Sequence, residues 1–158
     1  MTPDIEPGLA ADHVGLVALY EREWSSLFKV AFLLTNSHST AEEVVQDAFV
    51  RLQTTRTRVL NPGAYLRTMV VNACRDVHRH QVVVDRTPLP RPETTLAEHD
   101  ELFDALASLS RRQQAALILR FHVDLSEQEI ASTLGCRPST VRSIIHRALA
   151  ILRKDLSA

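Results

Sequence analysis

Pro88, Pro90 and Pro92 stand at alternate positions in the middle of this 158-residue chain, and no other feature restricts its folding as strongly. Each proline fixes its own φ and removes a backbone donor, so no helix is expected through 82–95, and the segment reads as an extended spacer. A long loop inside one domain is the competing reading. On both sides of the prolines, apolar residues recur three and four positions apart, strand-type alternation is absent, and the whole chain has only four glycines. The expected fold class is therefore all-α: two small helical domains, at 12–81 and 96–158, joined by a linker at 82–95.

An apolar content of 45% is enough to build packed cores. Eighteen basic residues nearly balance nineteen acidic ones, so any affinity for nucleic acid must come from local clustering of charge. Sixteen of the basic residues are arginine, whose planar fork suits phosphate and guanine edges. Cys74 and Cys136 lie far apart behind no recognisable leader, which argues against a secreted disulfide scaffold and for a reduced cytoplasm. No apolar run approaches the roughly twenty residues needed to cross a bilayer, so a soluble protein is expected.

In the first domain a helix is predicted over 12–34, with Val17, Tyr20, Trp24, Leu27, Phe28 and Ala31 inward. A second starts at Ser39 or Thr40, each with a glutamate three residues later, and runs to 53. Its apolar stripe is Ala41, Val44, Val45, Ala48, Phe49 and Leu52, which leaves Glu42, Glu43, Gln46, Asp47, Val50 and Arg51 outside. Val50 is then either an incidental surface valine or the centre of a protein interface. A third helix follows Asn61-Pro62-Gly63 and spans 65–80, with Leu66, Met69, Val70, Ala73 and Val77 inward and Thr68, Asn72, Arg75 and Arg79 along a polar stripe. Residues 51–80 carry six arginines against one acid, Asp76; a solvated face and a nucleic-acid face are both consistent with that.

In the second domain a helix is expected over 96–106, another from the Ser110-x-x-Gln113 cap to about 121, and a final pair opening at Ser126-x-x-Glu129. The segment from Glu127 to His146 has the spacing of a helix-turn-helix. A small residue at Ala131 allows close helix approach, Gly135 permits a left-handed turn, and Val141 plugs the junction, with Ile130 and Leu134 completing the inward face. Pro138 suits a first helical turn, where Ser139 and Thr140 add side-chain oxygens. The last helix divides into an inward face of Val141, Ile145, Ala148, Leu149 and Leu152 and an outward face of Arg142, Ser143, His146, Arg147 and Arg153. Between Arg137 and Lys154 there are five Arg or Lys residues and no acid. Such a surface attracts phosphate whatever the base sequence, and Arg142 or Arg147 bidentate to guanine would add about 1–3 kcal/mol of discrimination.

Ala41-Glu-Glu-Val-Val-Gln-Asp-Ala-Phe49, Ala64-Tyr-Leu-Arg67 and Val70-Val-Asn-Ala-Cys-Arg-Asp76 resemble domain two of extracytoplasmic-function sigma factors. Leu109-Ser-Arg-Arg-Gln-Gln-Ala-Ala-Leu-Ile-Leu-Arg120, Leu125-Ser-Glu-Gln-Glu-Ile-Ala131 and Ser139-Thr-Val-Arg-Ser143 are similar to domain four of that family. The resemblance implies that the first domain docks on core RNA polymerase, at its clamp, and separates the minus-ten promoter element. It implies that the second grips the minus-thirty-five element, with the flap region of the polymerase and an anti-sigma protein as further partners. Carried over by residue, Glu43, Gln46, Asp47, Val50 and Arg51 would meet the polymerase. Asn61 would lie in the loop that holds a flipped base, and Arg67, Asn72, Arg75 and Arg79 would face minus-ten DNA. Arg137, Ser139, Thr140, Arg142, Ser143, His146 and Arg147 would serve the upstream major groove. The sequence departs from the family in its aromatics: Tyr65 is the only Phe, Tyr or Trp between Phe49 and Phe103. Strand opening would then rest on capturing an extruded base rather than on stacking.

Five acids and no Lys or Arg occupy 93–104, consistent with a solvated helix start or with mimicry of nucleic acid inside the polymerase. Cys74 and His78 share a helical face that could meet one zinc ion, but His80 points away by about 200° at 100° per residue. No metal or cofactor is therefore expected, and no catalytic constellation is present in the sequence. An ordinary dimeric helix-turn-helix regulator is the alternative to the sigma reading.

Overall fold

A computed structural model describes residues 13–55, 59–84 and 97–157. Side chains are described there except at 13–14, 78–84 and 97–100. The expected proline spacer from 85 onward, the side chains of His78, Arg79 and His80, and the acids at 93, 98 and 100 lie outside the described set. Among the described residues the elements are all helical: α1 (His13–Thr35), α2 (His38–Thr54), α3 (Pro62–Val84), α4 (Ala97–Ala107), α5 (Arg111–Leu117), a π turn at Ile118–His122, α6 (Glu127–Leu134) and α7 (Pro138–Leu156).

Helix α2 buries the stripe its sequence predicts, Ala41, Val44, Val45, Ala48, Phe49 and Leu52. Its start differs. Ser37, in extended conformation, is the N-cap, and its hydroxyl accepts the Thr40 N–H at 3.3 Å, so Ser39 and Thr40 fall inside the first turn. Asn36 precedes it at a positive φ of 51°, a conformation asparagine tolerates, and this sharp reversal sets where the serine can cap. Helix α3 begins with Asn61 as its cap, Oδ1 accepting from Ala64 N–H at 3.1 Å, and with Pro62 in the first turn. It continues to Val84, so the first three residues of the expected spacer, 82–84, are helical.

The buried faces of α1 and α3 are corrected by the structure. In α1 the inward line is Leu19, Leu27, Val30, Ala31 and Leu34, while Val17 and Tyr20 are 46% and 41% exposed. Helix α1 is apolar around more than half its circumference, and the aromatic side lies at the rim: Tyr20 packs on Trp24 at 4.8 Å and on Phe49 at 5.0 Å. In α3 Val71 and Cys74 are buried along with Leu66 and Val70, while Met69, Ala73 and Val77 are half-buried and border a cleft with α2. The covered arc of α3 is wider than one amphipathic stripe because α1 and α2 pack on it and α6 also reaches it.

In the second module Ser110 and Ser126 each form a reciprocal capping box, with Gln113 and Glu129. Gln114 is buried, and its Nε2 donates to Leu106 O at 2.6 Å and Leu109 O at 3.3 Å, tying α5 to the turn that follows α4, where Leu106 O also accepts from Leu109 N–H at 3.0 Å. The π turn inserts one residue after α5, with Val123 N–H donating to Ile118 O at 3.2 Å. Its outward side carries Phe121, 66% exposed.

The two modules share a core. Ala115, Ile118, Leu119, Leu125, Ile130 and Val141 belong to one buried cluster with Leu19, Leu34, Leu66 and Val70. A smaller cluster of Leu106, Leu109, Leu117 and Ala148 closes the far side of the second module.

Candidate nucleic-acid interface

The helix-turn-helix is built by α6 and α7. Gly135 caps α6 at φ 70°, ψ 40°, with its N–H donating to Ala131 O, and Cys136 N–H also reaches Ala131 O at 3.0 Å. Such a left-handed residue costs an L side chain about 1–2 kcal/mol and glycine nothing. Ala131 and Val141 are 3% and 0% exposed, so the small residue and the plug stand where the spacing places them. Arg137 takes the N-cap position of α7 with extended backbone, followed by Pro138.

On α7 Arg137, Ser139, Arg142, Ser143, His146 and Arg147 are exposed and Thr140 is half-buried. Val141 and Ala148 are buried, and Ile145 and Leu149 are half-buried against the neighbouring clusters. The expected division of the helix into two faces is therefore present. Ser143 Oγ donates to Ser139 O at 3.2 Å. Arg142 does not project freely: it pairs side-on with Glu127, Nε to Oε1 at 3.3 Å and Nη2 to Oε2 at 2.9 Å. That contact holds the Glu127 carboxyl below the usual carboxylate range, chiefly through the hydrogen bond from Arg142, and raises the Arg142 guanidinium in turn.

On the first module Glu43, Gln46, Asp47, Val50 and Arg51 share the outer face of α2. Val50 is 54% exposed among them, and Arg51 Nε meets Asp47 Oδ2 at 3.0 Å one turn away. A cleft of about 720 Å³ runs between α2 and α3, bordered by Glu43, Arg51, Met69, Asn72 and Asp76. Asn72 is exposed and Arg75 half-buried.

Two expected DNA contacts are placed differently from the open stripe. Asn61 is exposed but spends its side-chain oxygen on the α3 cap. Arg67 is half-buried, and its Nε is buried without a hydrogen-bond partner among the described residues. A Cβ added at Gly63 would lie 3.6 Å from Arg67 Nη1 and 3.3 Å from Glu23 Oε1, which puts the guanidinium beside α1. Its charge also helps to lower the Glu129 carboxyl of α6, after the larger effect of the Ser126 hydrogen bonds. Arg67 thus sits toward the seam between the modules, away from the Asn72 stripe.

Sequence reasoning missed three residues that shape these surfaces. Glu127 is fifteen positions from Arg142, beyond any local spacing rule. Gln114 reads as an ordinary helix former, because it follows Arg111, Arg112 and Gln113 at the polar end of an apolar run. Tyr20 stands at the rim rather than inward, because its partner Phe49 lies on another helix.

An exposed basic helix set in a helix-turn-helix, joined in one chain to a second helical module with its own polar cleft, defines a DNA-binding protein of transcription. The family model for Sigma-70 region 2 matches residues 19–82, and that for Sigma-70, region 4 matches 99–152. The ECF RNA polymerase sigma factor SigL of Mycobacterium tuberculosis is 30% identical over 165 residues, covering 94% of this chain and 93% of that protein. The RNA polymerase sigma-E factor of Streptomyces antibioticus is 34% identical over 100 residues, 59% of this chain and 56% of that one. Among solved structures, CnrH in complex with the cytosolic domain of CnrY shares the fold at a TM-score of 0.75 and 23% identity, covering 94% and 95% of the two chains. The extracytoplasmic function sigma factor SigJ of Mycobacterium tuberculosis matches at a TM-score of 0.63 and 27% identity, over 86% of this chain and 52% of that one. The chain belongs to the extracytoplasmic-function (ECF) sigma factor family. No helix among the described residues is long and apolar enough to cross a membrane.

Proposed function

We propose that this chain is an alternative sigma factor that binds core RNA polymerase in the cytoplasm and directs it to a restricted set of promoters, with no catalysis of its own. The observation that carries the reading is the pairing, in one chain, of the basic outer face of α7 with the open α2 face around Val50. On this reading Val50, flanked by Glu43, Gln46, Asp47 and Arg51, docks on the polymerase clamp. An apolar centre ringed by charge is the composition of a protein interface core and rim.

Asn72, Arg75 and Arg79 then face minus-ten DNA, with Arg67 and Asn61 joining them if the seam and the cap rearrange on binding. Arg137, Ser139, Thr140, Ser143, His146 and Arg147 position α7 on phosphates and base edges of the minus-thirty-five element, and Arg142 reads a base there. The flap region is the expected second contact on the polymerase. An anti-sigma protein is the expected regulator, since CnrH was solved with the cytosolic domain of CnrY and a Bartonella quintana sigma factor with the anti-sigma factor NepR.

The test is run-off transcription by core polymerase on a library of promoter fragments, with and without the purified chain. New, sequence-restricted start sites are expected in its presence. An unchanged transcript profile overturns the proposal.

A further inference from the structure

The pair between α6 and α7 engages only one edge of its arginine. Glu127 takes the side edge of the Arg142 guanidinium, Nε and one Nη2 hydrogen, at 3.3 and 2.9 Å. An arginine has five N–H donors in a rigid plane, so this leaves the end edge, formed by Nη1 and the remaining Nη2 hydrogen, unused by Glu127. That end edge is a two-donor fork, and a guanine in the major groove presents the matching acceptors, O6 and N7. The Arg142 side chain is 73% exposed and Glu127 34%, so the carboxylate is partly sheltered while the fork stands in solvent. Glu127 is itself fixed at the first position of α6, behind the Ser126–Glu129 capping box.

We infer that Glu127 is a specificity-determining positioning residue: by holding the side edge of Arg142 it presents the end fork to one guanine of the upstream promoter element. This rests on the proposed role of α7 as the reading helix. A free arginine loses substantial rotamer freedom when it orders on a base. One already held by a carboxylate loses less, and it resists swinging onto the nearest phosphate. Glu127 also places a negative charge beside the DNA surface, which weakens binding to every sequence alike. Its two effects therefore act together on discrimination: the correct base gains and non-specific contact loses. The depressed Glu127 carboxyl, with Arg142 as its main cause and Arg120 a smaller one, fits a pair that persists at neutral pH.

The experiment uses the full chain with core polymerase on promoters in which each upstream-element position is varied singly. Initiation is read as the preference ratio among bases within one protein preparation, so that a changed folded fraction cancels. In the parent protein one position should show a guanine preference that Arg142→Ala abolishes. Glu127→Gln, which keeps the shape and removes the charge, should reduce that same preference about tenfold. Initiation on the non-preferred bases should be retained or raised, and its salt dependence should steepen. Preferences at other positions should stay within twofold, and Glu127→Gln added to Arg142→Ala should cause no further loss.

If Arg142→Ala removes the preference and Glu127→Gln leaves it intact, the positioning role is wrong and the reading helix survives. If Arg142→Ala alters no position, the assignment of Arg142 to a base fails, and the inference about Glu127 fails with it. An equal loss of initiation on every promoter with Glu127→Gln would mark a merely structural residue and also overturn the inference.

Discussion

The ring of Phe103 on α4 meets the ring of Phe32 on α1 edge-on, at 90° with centroids 5.4 Å apart. Edge-to-face pairs contribute about 0.5–1.5 kcal/mol beyond the area they bury, and this one joins the two modules across a seam also built by Leu34, Leu119 and Leu125. The free chain is therefore packed through its middle.

Phe103→Ala is expected to destabilise the chain by about 2 kcal/mol, below the range for a fully buried phenylalanine because the ring is half-exposed. The chain's one tryptophan, Trp24, lies on α1 and reports on the first module. Its fluorescence midpoint in urea should fall with this substitution in the second. An unchanged midpoint would show that the modules unfold independently.

Gly135 has open space around the position of an added Cβ, so its replacement tests backbone conformation alone. Gly135→Ala should lower stability by about 1–2 kcal/mol, and Gly135→Asn by less, since asparagine enters the left-handed region more readily. Equal losses for the two would contradict the geometry of the turn.

Burial pushes the Cys74 thiol from its ordinary 9.0 up to about 12. The neutral, protonated form is favoured in the folded state, so this contribution is complete below pH 9.0 and is lost as pH rises toward 12. At pH 10 the loss is about 1.4 kcal/mol. Thermal melts of the parent and of Cys74→Ala should therefore converge between pH 8 and pH 10. A constant gap between them would refute the burial of this thiol.

At the acid end the carboxyls of Glu127 and Glu129 are both held below their ordinary 4.5. A depressed carboxyl contributes stability that is present above 4.5 and disappears as pH falls below it. The melting temperature should drop across that window, and Glu127→Gln should drop less steeply. Parallel curves would mean that the pair with Arg142 does not form in solution.

Val50 is exposed and unused by the fold. Val50→Asp should leave the unfolding free energy in urea within about 0.5 kcal/mol of the parent, while affinity for core polymerase falls about tenfold or more. Unchanged affinity, measured by co-elution with core polymerase, would remove Val50 from the docking surface.

Local chemistry written in consecutive residues was legible from the outset. The boxes at Ser110 and Ser126, the left-handed Gly135 and the α2 stripe all follow from contacts within a few positions of one another. Short-range hydrogen bonding and helical periodicity decide them before any other helix arrives. Ser37 escaped because a turn at Asn36, rather than a capping pattern, sets where α2 begins.

The sequence by itself determined the helices, most of their caps and the register of the helix-turn-helix. Only the tertiary structure decided which arc of α1 and α3 is covered, that Arg67 turns toward the seam, that Arg142 is held by Glu127, and that the modules share one core. An apolar period reports that a helix has a face to bury. What covers that face depends on partners tens of residues away, and no spacing within one helix encodes them.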